Sequence, residues 1–361
     1  MLCTVLLDHC RWLGRLLAVL PLILCGSAVA SAQQQSGNQL KLLIWSEYFD
    51  PAVLADFQKK YGIQIAESYY ETDEIRNEIM FSTNGGTGFD LVLSNGSSLS
   101  SYVKHNWLNP ITDKDVPNLR HVNPRWRNAF PESERYGVPF LWGTLGIAYR
   151  QDKINKPVTS WLDLYRPEES LRGKIVMIKD SRDLIGMALK ALGFSANSTE
   201  TAELDAAKRL LLAQKPHVQI YSYVTLAQNS SLVTGETLMA MIYNGDALAL
   251  HQHNPDIAFV QPREGCNLWC DFFVIPASSK KKELACKFLH FIHEPEIMAR
   301  LAQFAYFATT NLAAEKILPE EFKADHNIYP TKEILEKSET YADLPPRGAK
   351  KYNDIFNLVI Q

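Results

Sequence analysis

Apolar and polar residues alternate along the chain in two rhythms. Leu40–Trp45 is an apolar run of strand length, and Pro51–Tyr61 follows with Val53, Leu54 and Phe57 at helical spacing and Gly62 as a stop. Ile63–Tyr70 alternates as a strand, Glu74–Phe81 has helical periodicity, and Asn84-Gly85-Gly86 marks a turn. Asp90–Leu93 then reads as a short buried strand. This β-α-β-α-β order predicts an α/β unit with a mostly parallel sheet.

The rhythm returns further on. Lys174–Ile178 is a strand, Asp180 opens a helix to about Leu192 before Gly193, and Thr201–Gln214 is a second helix. Val218–Tyr221 is extended, and Met239–Tyr243 is a buried strand ending in a turn at Asn244-Gly245. Ile257–Gln261 and Asn267–Ile275 are further strands, Pro276 ends the second, and Lys280–Ile292 is an amphipathic helix. No tandem repeat or flexible linker divides the halves. The pattern predicts two α/β lobes sharing one chain, with crossings near Gly143–Tyr149 and Trp269–Ile275.

The N-terminus carries a different pattern. Arg11 and Arg15 precede the short apolar run Leu16–Leu24, and Ala28-Val29-Ala30-Ser31-Ala32 supplies small residues. Together they read as a secretory signal peptide over residues 1–32, cleaved after Ala32; Pro21 interrupts a run already short for a membrane span. With 37 Lys and Arg against 40 Asp and Glu, the net charge of −3 provides no broad basic field for nucleic acid. Outside the leader stand Cys266, Cys270 and Cys286. On one strand Cys266 and Cys270 would lie about 13 Å apart, too far to bond, and Cys286 falls in a helical pattern suited to a buried thiol.

The chain contains no G-x-S-x-G elbow, no G-x-x-x-x-G-K-[ST] loop and no H-E-x-x-H helix. Thr83–Gly88 is glycine-rich but lacks the lysine of a phosphate loop, so it reads as a plain turn. His251 and His253 have no Cys or His nearby to complete a metal site and read as a solvated loop. His290 and His293 fall at a helix end, a common place for histidine. Neither an enzyme, a metal nor a cofactor is recommended by these residues.

Aromatics beside carboxylates form the pattern that does stand out. Trp45-Ser46-Glu47-Tyr48 follows the first strand, Lys179-Asp180-Ser181-Arg182-Asp183 leads into a helix, Tyr243-Asn244-Gly245-Asp246 follows a buried strand, and Trp269-Cys270-Asp271 lies within another. In α/β sheets ligands bind beyond the carboxyl ends of strands, where such segments lie. Strand period puts Asn267, Trp269 and Asp271 on one face and Leu268, Cys270 and Phe272 on the other. A face with both Trp and Asp suits a cationic, partly apolar ligand; a half-buried Trp beside a surface Asp is the alternative. Asp180 and Asp183 also suit a helix N-terminus, and a capping carboxylate keeps lone pairs for a ligand ammonium.

These stretches, with Val138-Pro139-Phe140-Leu141-Trp142-Gly143, Thr159-Ser160-Trp161-Leu162-Asp163-Leu164, Met241-Ile242-Tyr243-Asn244-Gly245, Ile275-Pro276 and Asn311-Leu312-Ala313-Ala314, resemble the periplasmic polyamine-binding proteins of bacterial ABC importers. The resemblance runs over essentially the whole chain after the leader. It implies a two-lobed α/β fold of the periplasmic binding protein type (type II-like), with a ligand cleft between the lobes. It also implies a periplasmic location, with residues 33–145 and 272–312 in one lobe and 146–271 and 313–361 in the other.

By position, the resemblance implies that Trp45 and Tyr48 form an aromatic wall with Ser46 beside them, that Asp180 and Asp183 receive one ammonium, and that Trp269 and Asp271 hold the middle of the ligand. Tyr243 stands where the family usually has Trp, and Asp183 where it typically has Glu. Asn95 and Ser97 replace a Ser and a Tyr, and Tyr341 replaces a late Gln. Carboxylates spaced by rings match alternating ammonium groups and methylenes, since aliphatic amines are cationic near neutral pH.

The altered walls also resemble the norspermidine-sensing branch of this family. That branch implies a triamine ligand and an inner-membrane sensor partner that sets cyclic-di-GMP levels and biofilm formation; an ABC permease is the other partner implied. The chain gives no warrant for an oligomer, so a monomer is expected. A secreted hydrolase using Asp180 and Asp271, and a sugar or iron-complex binder, are rivals. The first lacks a motif, a sugar does not explain the acids, and iron would want clustered Tyr or His.

Overall fold

Pro51 opens the first helix, Pro51–Tyr61, where its missing N–H costs nothing, and the Asp50 side chain accepts the N–H of Ala52. Gly62 ends it in the left-handed region at φ 66°, which a side chain would resist. This computed structural model describes residues 38–46 and 48–361; the expected signal peptide and Glu47 lie outside the described residues.

Ten strands are described: β1 Gln39–Trp45, β2 Gln64–Tyr70, β3 Leu91–Asn95, β4 Val138–Arg150, β5 Ile175–Met177, β6 Val218–Tyr221, β7 Met239–Tyr243, β8 Ile257–Val260, β9 Leu268–Val274 and β10 Ala308–Thr309. They run in the order β2-β1-β3-β9-β4-β7-β5-β6, with β8 and β10 also pairing β4. The sheet is mixed, not mostly parallel. β1 pairs β3 in parallel, as β5 pairs β6 and β7, but β9 is antiparallel to β3 and β4, and β4 is antiparallel to β7, β8 and β10. The antiparallel centre arises because β4 carries the chain out of the first lobe and β9, entered after the return, runs against both β3 and β4.

β4 is the crossing expected near Gly143–Tyr149. Val138–Thr144 pair with β9, and Leu145–Tyr149 pair with β7. Its 13 residues, buried except for Tyr149, give it length enough to serve both. β9 has only 7 residues and finds all its partners among β3 and the first part of β4. The return therefore runs through residues 261–267, just ahead of the expected Trp269–Ile275.

The turn expected at Asn244-Gly245 instead opens a helix, Asn244–His253, so His251 and His253 sit in its last turn and not in a loop. Tertiary contact overrides turn propensity here. The Asn244 Oδ1 atom accepts the N–H of Thr144 at 3.0 Å, and Gly245 packs so closely on Phe307 that a Cβ would not fit.

One apolar core gathers Leu42, Phe57, Phe140, Phe273, Phe288 and Leu301; a second gathers Ile147, Trp161, Met177, Leu184, Leu211 and Tyr352. Residues after 312, expected with the second lobe, are shared: Ala314 and Leu318 join the first core, whereas Tyr352, Ile355 and Val359 join the second. Cys266, Cys270 and Cys286 are buried, and among the described residues none of them forms a disulfide. Among the described residues no helix is long and apolar enough to cross a membrane.

Candidate functional site

The ends of β1, β3 and β7, the face of β9 and the start of the helix Ser181–Ala191 meet around a cleft of about 1170 Å³. Trp45, Ser46, Tyr48, Asn95, Asp180, Asp183, Tyr243, Trp269, Asp271 and Tyr341 all line it. The strand period of β9 explains one wall. Leu268, Cys270 and Phe272 are buried in a core behind the sheet, which leaves Trp269 and Asp271 to face the cleft.

Three of the predicted residues brought together here are acids. Asp183, only 2% exposed, accepts the Tyr243 hydroxyl on one oxygen at 2.9 Å and the Tyr341 hydroxyl on the other at 2.8 Å. Asp180 caps the helix, its Oδ1 accepting the N–H groups of Arg182 and Asp183 at 2.7 and 2.9 Å. Asp271, 7% exposed, accepts the Tyr48 hydroxyl at 3.0 Å. All these donors are neutral, so the carboxylates lose water without gaining an ion pair among the described residues. Burial, with a smaller push from Asp73, takes the Asp271 carboxyl up to about 7. Burial and the neighbouring Asp180 carboxylate push Asp183 well above the usual carboxylate range, and burial raises Asp180.

Rings connect the acids. Trp45 approaches Tyr223 at 5.9 Å between ring centroids, Tyr223 stacks on Tyr243 at 6.4 Å, and Tyr243 meets Trp269 edge-on at 5.8 Å. Trp269 meets Phe307 at 4.7 Å, and Phe307 meets Tyr48 at 5.8 Å. Among the described residues, the buried Trp269 indole N–H has no hydrogen-bond partner. Such a wall offers π-faces to a cation and apolar surface to methylenes.

Sequence reasoning marked Asp246 only as the end of the Tyr243–Asp246 segment and missed Asp73, Tyr223 and Phe307; all four line the cleft. Asp73 and Asp246 look like ordinary acids in the first turn of a helix. Burial alone takes Asp246 up to about 7. Tyr223 and Phe307 lie outside regular elements, where hydrophobic period carries no signal. Asn95 lines the cleft, but its amide is engaged within the first lobe: Nδ2 donates to Asp73, while Oδ1 accepts from Ser97 Oγ at 3.0 Å and from the Ser98 N–H at 3.1 Å.

Gly143 lies opposite Trp269 in the β4–β9 pairing. A Cβ there would come within 2.6 Å of the Trp269 ring and closer still to Asn244 Oδ1. Gly143→Ala is expected to cost about 1–3 kcal/mol through overpacking. Thermal unfolding measures this, and an unchanged midpoint would refute the close approach.

Two lobes built on shared strands around an acid-and-aromatic cleft are the architecture of a solute-binding protein. The chain belongs to the bacterial extracellular solute-binding protein family, which matches residues 52–331. It is 31% identical over 336 residues to the spermidine/putrescine-binding periplasmic protein of Escherichia coli K12, covering 92% of this chain and 94% of that one. It is 30% identical over 298 residues to the norspermidine sensor of Vibrio cholerae, covering 82% of this chain and 81% of that one. A solved structure described as a putative spermidine/putrescine ABC transporter from Listeria monocytogenes superposes with a TM-score of 0.80 at 30% identity, over 89% of this chain and 98% of that one. Its location is the periplasm, as for the relatives so named.

Proposed function

We propose that this protein binds a linear polyamine, a triamine of the norspermidine and spermidine class, by closing its lobes on it. The observation that carries this reading is the pairing of deeply buried carboxylates with neutral tyrosine donors: Asp183 with Tyr243 and Tyr341, and Asp271 with Tyr48. A cationic ligand supplies the counter-charge these acids lack, and its methylenes lie against Trp45, Tyr243 and Trp269. Asp180 and Asp183 receive one ammonium, Asp271 a second, and Asp246 is an acid available to another. Ser46 and Asn95 complete the first-lobe wall. The ligand favours the closed form because it touches both lobes.

In this proposal the closed form is presented to an inner-membrane sensor that controls cyclic-di-GMP and biofilm formation, and the protein acts as a monomer. The likeness to a norspermidine sensor supports that partner. The likeness to spermidine/putrescine-binding proteins supports a second reading, in which the partner is an ABC permease and the function is import. Calorimetric titration of protein refolded to strip carried-over ligand tests the ligand class. Micromolar or tighter binding of norspermidine or spermidine is expected, and no heat from folded protein with any polyamine would overturn the reading.

A further inference from the structure

Behind the cleft wall lies a cation that needs a reason to be there. Arg76, on the helix Asp73–Ser82, is 0% exposed, in a position where an unpaired guanidinium would be very costly. Its Nη1 is paired with Asp73 Oδ1, Nη2 donates to Ser98 Oγ at 2.9 Å, and Nε donates to the Tyr102 hydroxyl at 3.2 Å. Ser98 Oγ in turn donates to Asn95 Oδ1 at 2.9 Å, and Asn95 Nδ2 donates to the second oxygen of Asp73. Arg76, Asp73, Asn95 and Ser98 thus close a ring of hydrogen bonds in which both Asp73 oxygens are occupied.

Asp73 lines the cleft with its side chain 24% exposed, whereas Arg76 stands one layer behind it. The other cleft acids are held differently. Asp183 and Asp271 have tyrosine hydroxyls, and Asp180 has backbone N–H groups. Among the described residues, Asp73 is the one acid lining the cleft that is ion-paired to a protein side chain.

We propose that Arg76 is a specificity-determining residue: a built-in cation that neutralises Asp73 and so limits how many ammonium groups the cleft accepts. This rests on the polyamine reading. With Asp73 satisfied internally, the cleft has one carboxylate fewer to offer the additional charge of a tetraamine, and the acids left on this side are Glu67 and Glu71, on β2 and just after it, in place of one beside Asn95. Arg76 also lies over the Tyr70 ring, 5.6 Å from its centroid, and Tyr70 packs on Trp45 at 4.6 Å. A purely supporting role through Tyr70 would change the affinity for every polyamine alike. A charge-limiting role changes the ratio between ligands of different charge.

The test is calorimetric titration of wild type, Arg76→Gln, Asp73→Asn and the double variant with spermidine and with spermine. Wild type is expected to gain nothing from the additional amine of spermine. Arg76→Gln frees Asp73, and the affinity ratio of spermine to spermidine is expected to rise about tenfold, the scale of one added charge-assisted contact. Asp73→Asn leaves Arg76 uncompensated and is expected to weaken both ligands, spermine more. The double variant is expected to restore the wild-type ratio and affinity.

An unchanged ratio in Arg76→Gln overturns the assignment, and so does unchanged binding in Asp73→Asn. If the single variants do not fold, the double variant decides, because removing both charges leaves none unpaired. Wild-type behaviour there supports the assignment, and a loss of affinity overturns it by showing that Asp73 serves the ligand directly. Wild type that binds triamines while these ratios fail to move refutes the role of Arg76 alone. Wild type that binds no polyamine refutes the polyamine reading and Arg76's role with it.

Discussion

Replacing Asp271 by alanine is expected to weaken polyamine binding by about 2 kcal/mol or more, roughly thirtyfold, as for a buried charge that loses its partner. Asp271 is 7% exposed, and among the described residues its one side-chain donor is the neutral Tyr48 hydroxyl, so the attraction to an ammonium here is poorly screened by water. Trp269→Ala is expected to cost a similar amount, since Trp269 is the ring placed beside that acid and bears on Tyr243 and Phe307. Asp271→Asn separates charge from shape: an amide oxygen still accepts the Tyr48 hydroxyl, so a loss as large as in Asp271→Ala assigns the effect to charge. Calorimetry on all three variants measures this, and unchanged affinity in both Asp271→Ala and Trp269→Ala would sink the proposed site.

A strong pH dependence is the second large effect expected. The Asp271 carboxyl is pushed from an ordinary 3.8 up to about 7 by burial, and Asp246 likewise. Between those values the folded, empty protein holds protons that the unfolded chain has released. Stability of the empty protein therefore falls as pH rises through that window, by up to about 1.4 kcal/mol per pH unit for each such group. Ligand binding runs the other way. Below pH 7 an ammonium must expel a proton from each acid it pairs with, so affinity drops by up to about tenfold per pH unit per proton expelled. The amines stay protonated throughout, with pKa values near that of lysine. The thermal shift produced by saturating spermidine is accordingly expected to be larger at pH 8 than at pH 6. An equal or smaller shift at pH 8 would mean that these acids do not face the ligand.

Much of the fold was legible because its elements have clean periods and clear ends. Pro51–Tyr61, Thr201–Gln214, Val218–Tyr221 and Met239–Tyr243 fall where hydrophobic spacing puts them. What the pattern could not supply was direction and partnership. A buried strand reads the same whether its neighbour is parallel or antiparallel, so the antiparallel centre around β4 and β9 was hidden. Asn244-Gly245 carries the composition of a turn, and only its contacts with Thr144 and Phe307 make it a helix start. In the cleft, the sequence marked acids beside aromatics, and those residues do meet. Asp73 stayed hidden because a first-turn acid is ordinary, and its pairing with Arg76 shows only once the fold places Arg76 behind the wall that Asp73 lines.

The passage of β4 from one set of partners to the other has a kinetic consequence. The change falls at Thr144–Leu145, one residue beyond the point where Gly143 faces Trp269. In the closure proposed above, opening the lobes would bend the strand beside that ring, so the residues that would grip a cargo and the residues that would flex to release it are neighbours. Residence time and hinge stiffness are then one property of the molecule, and a change at Gly143 would alter both together.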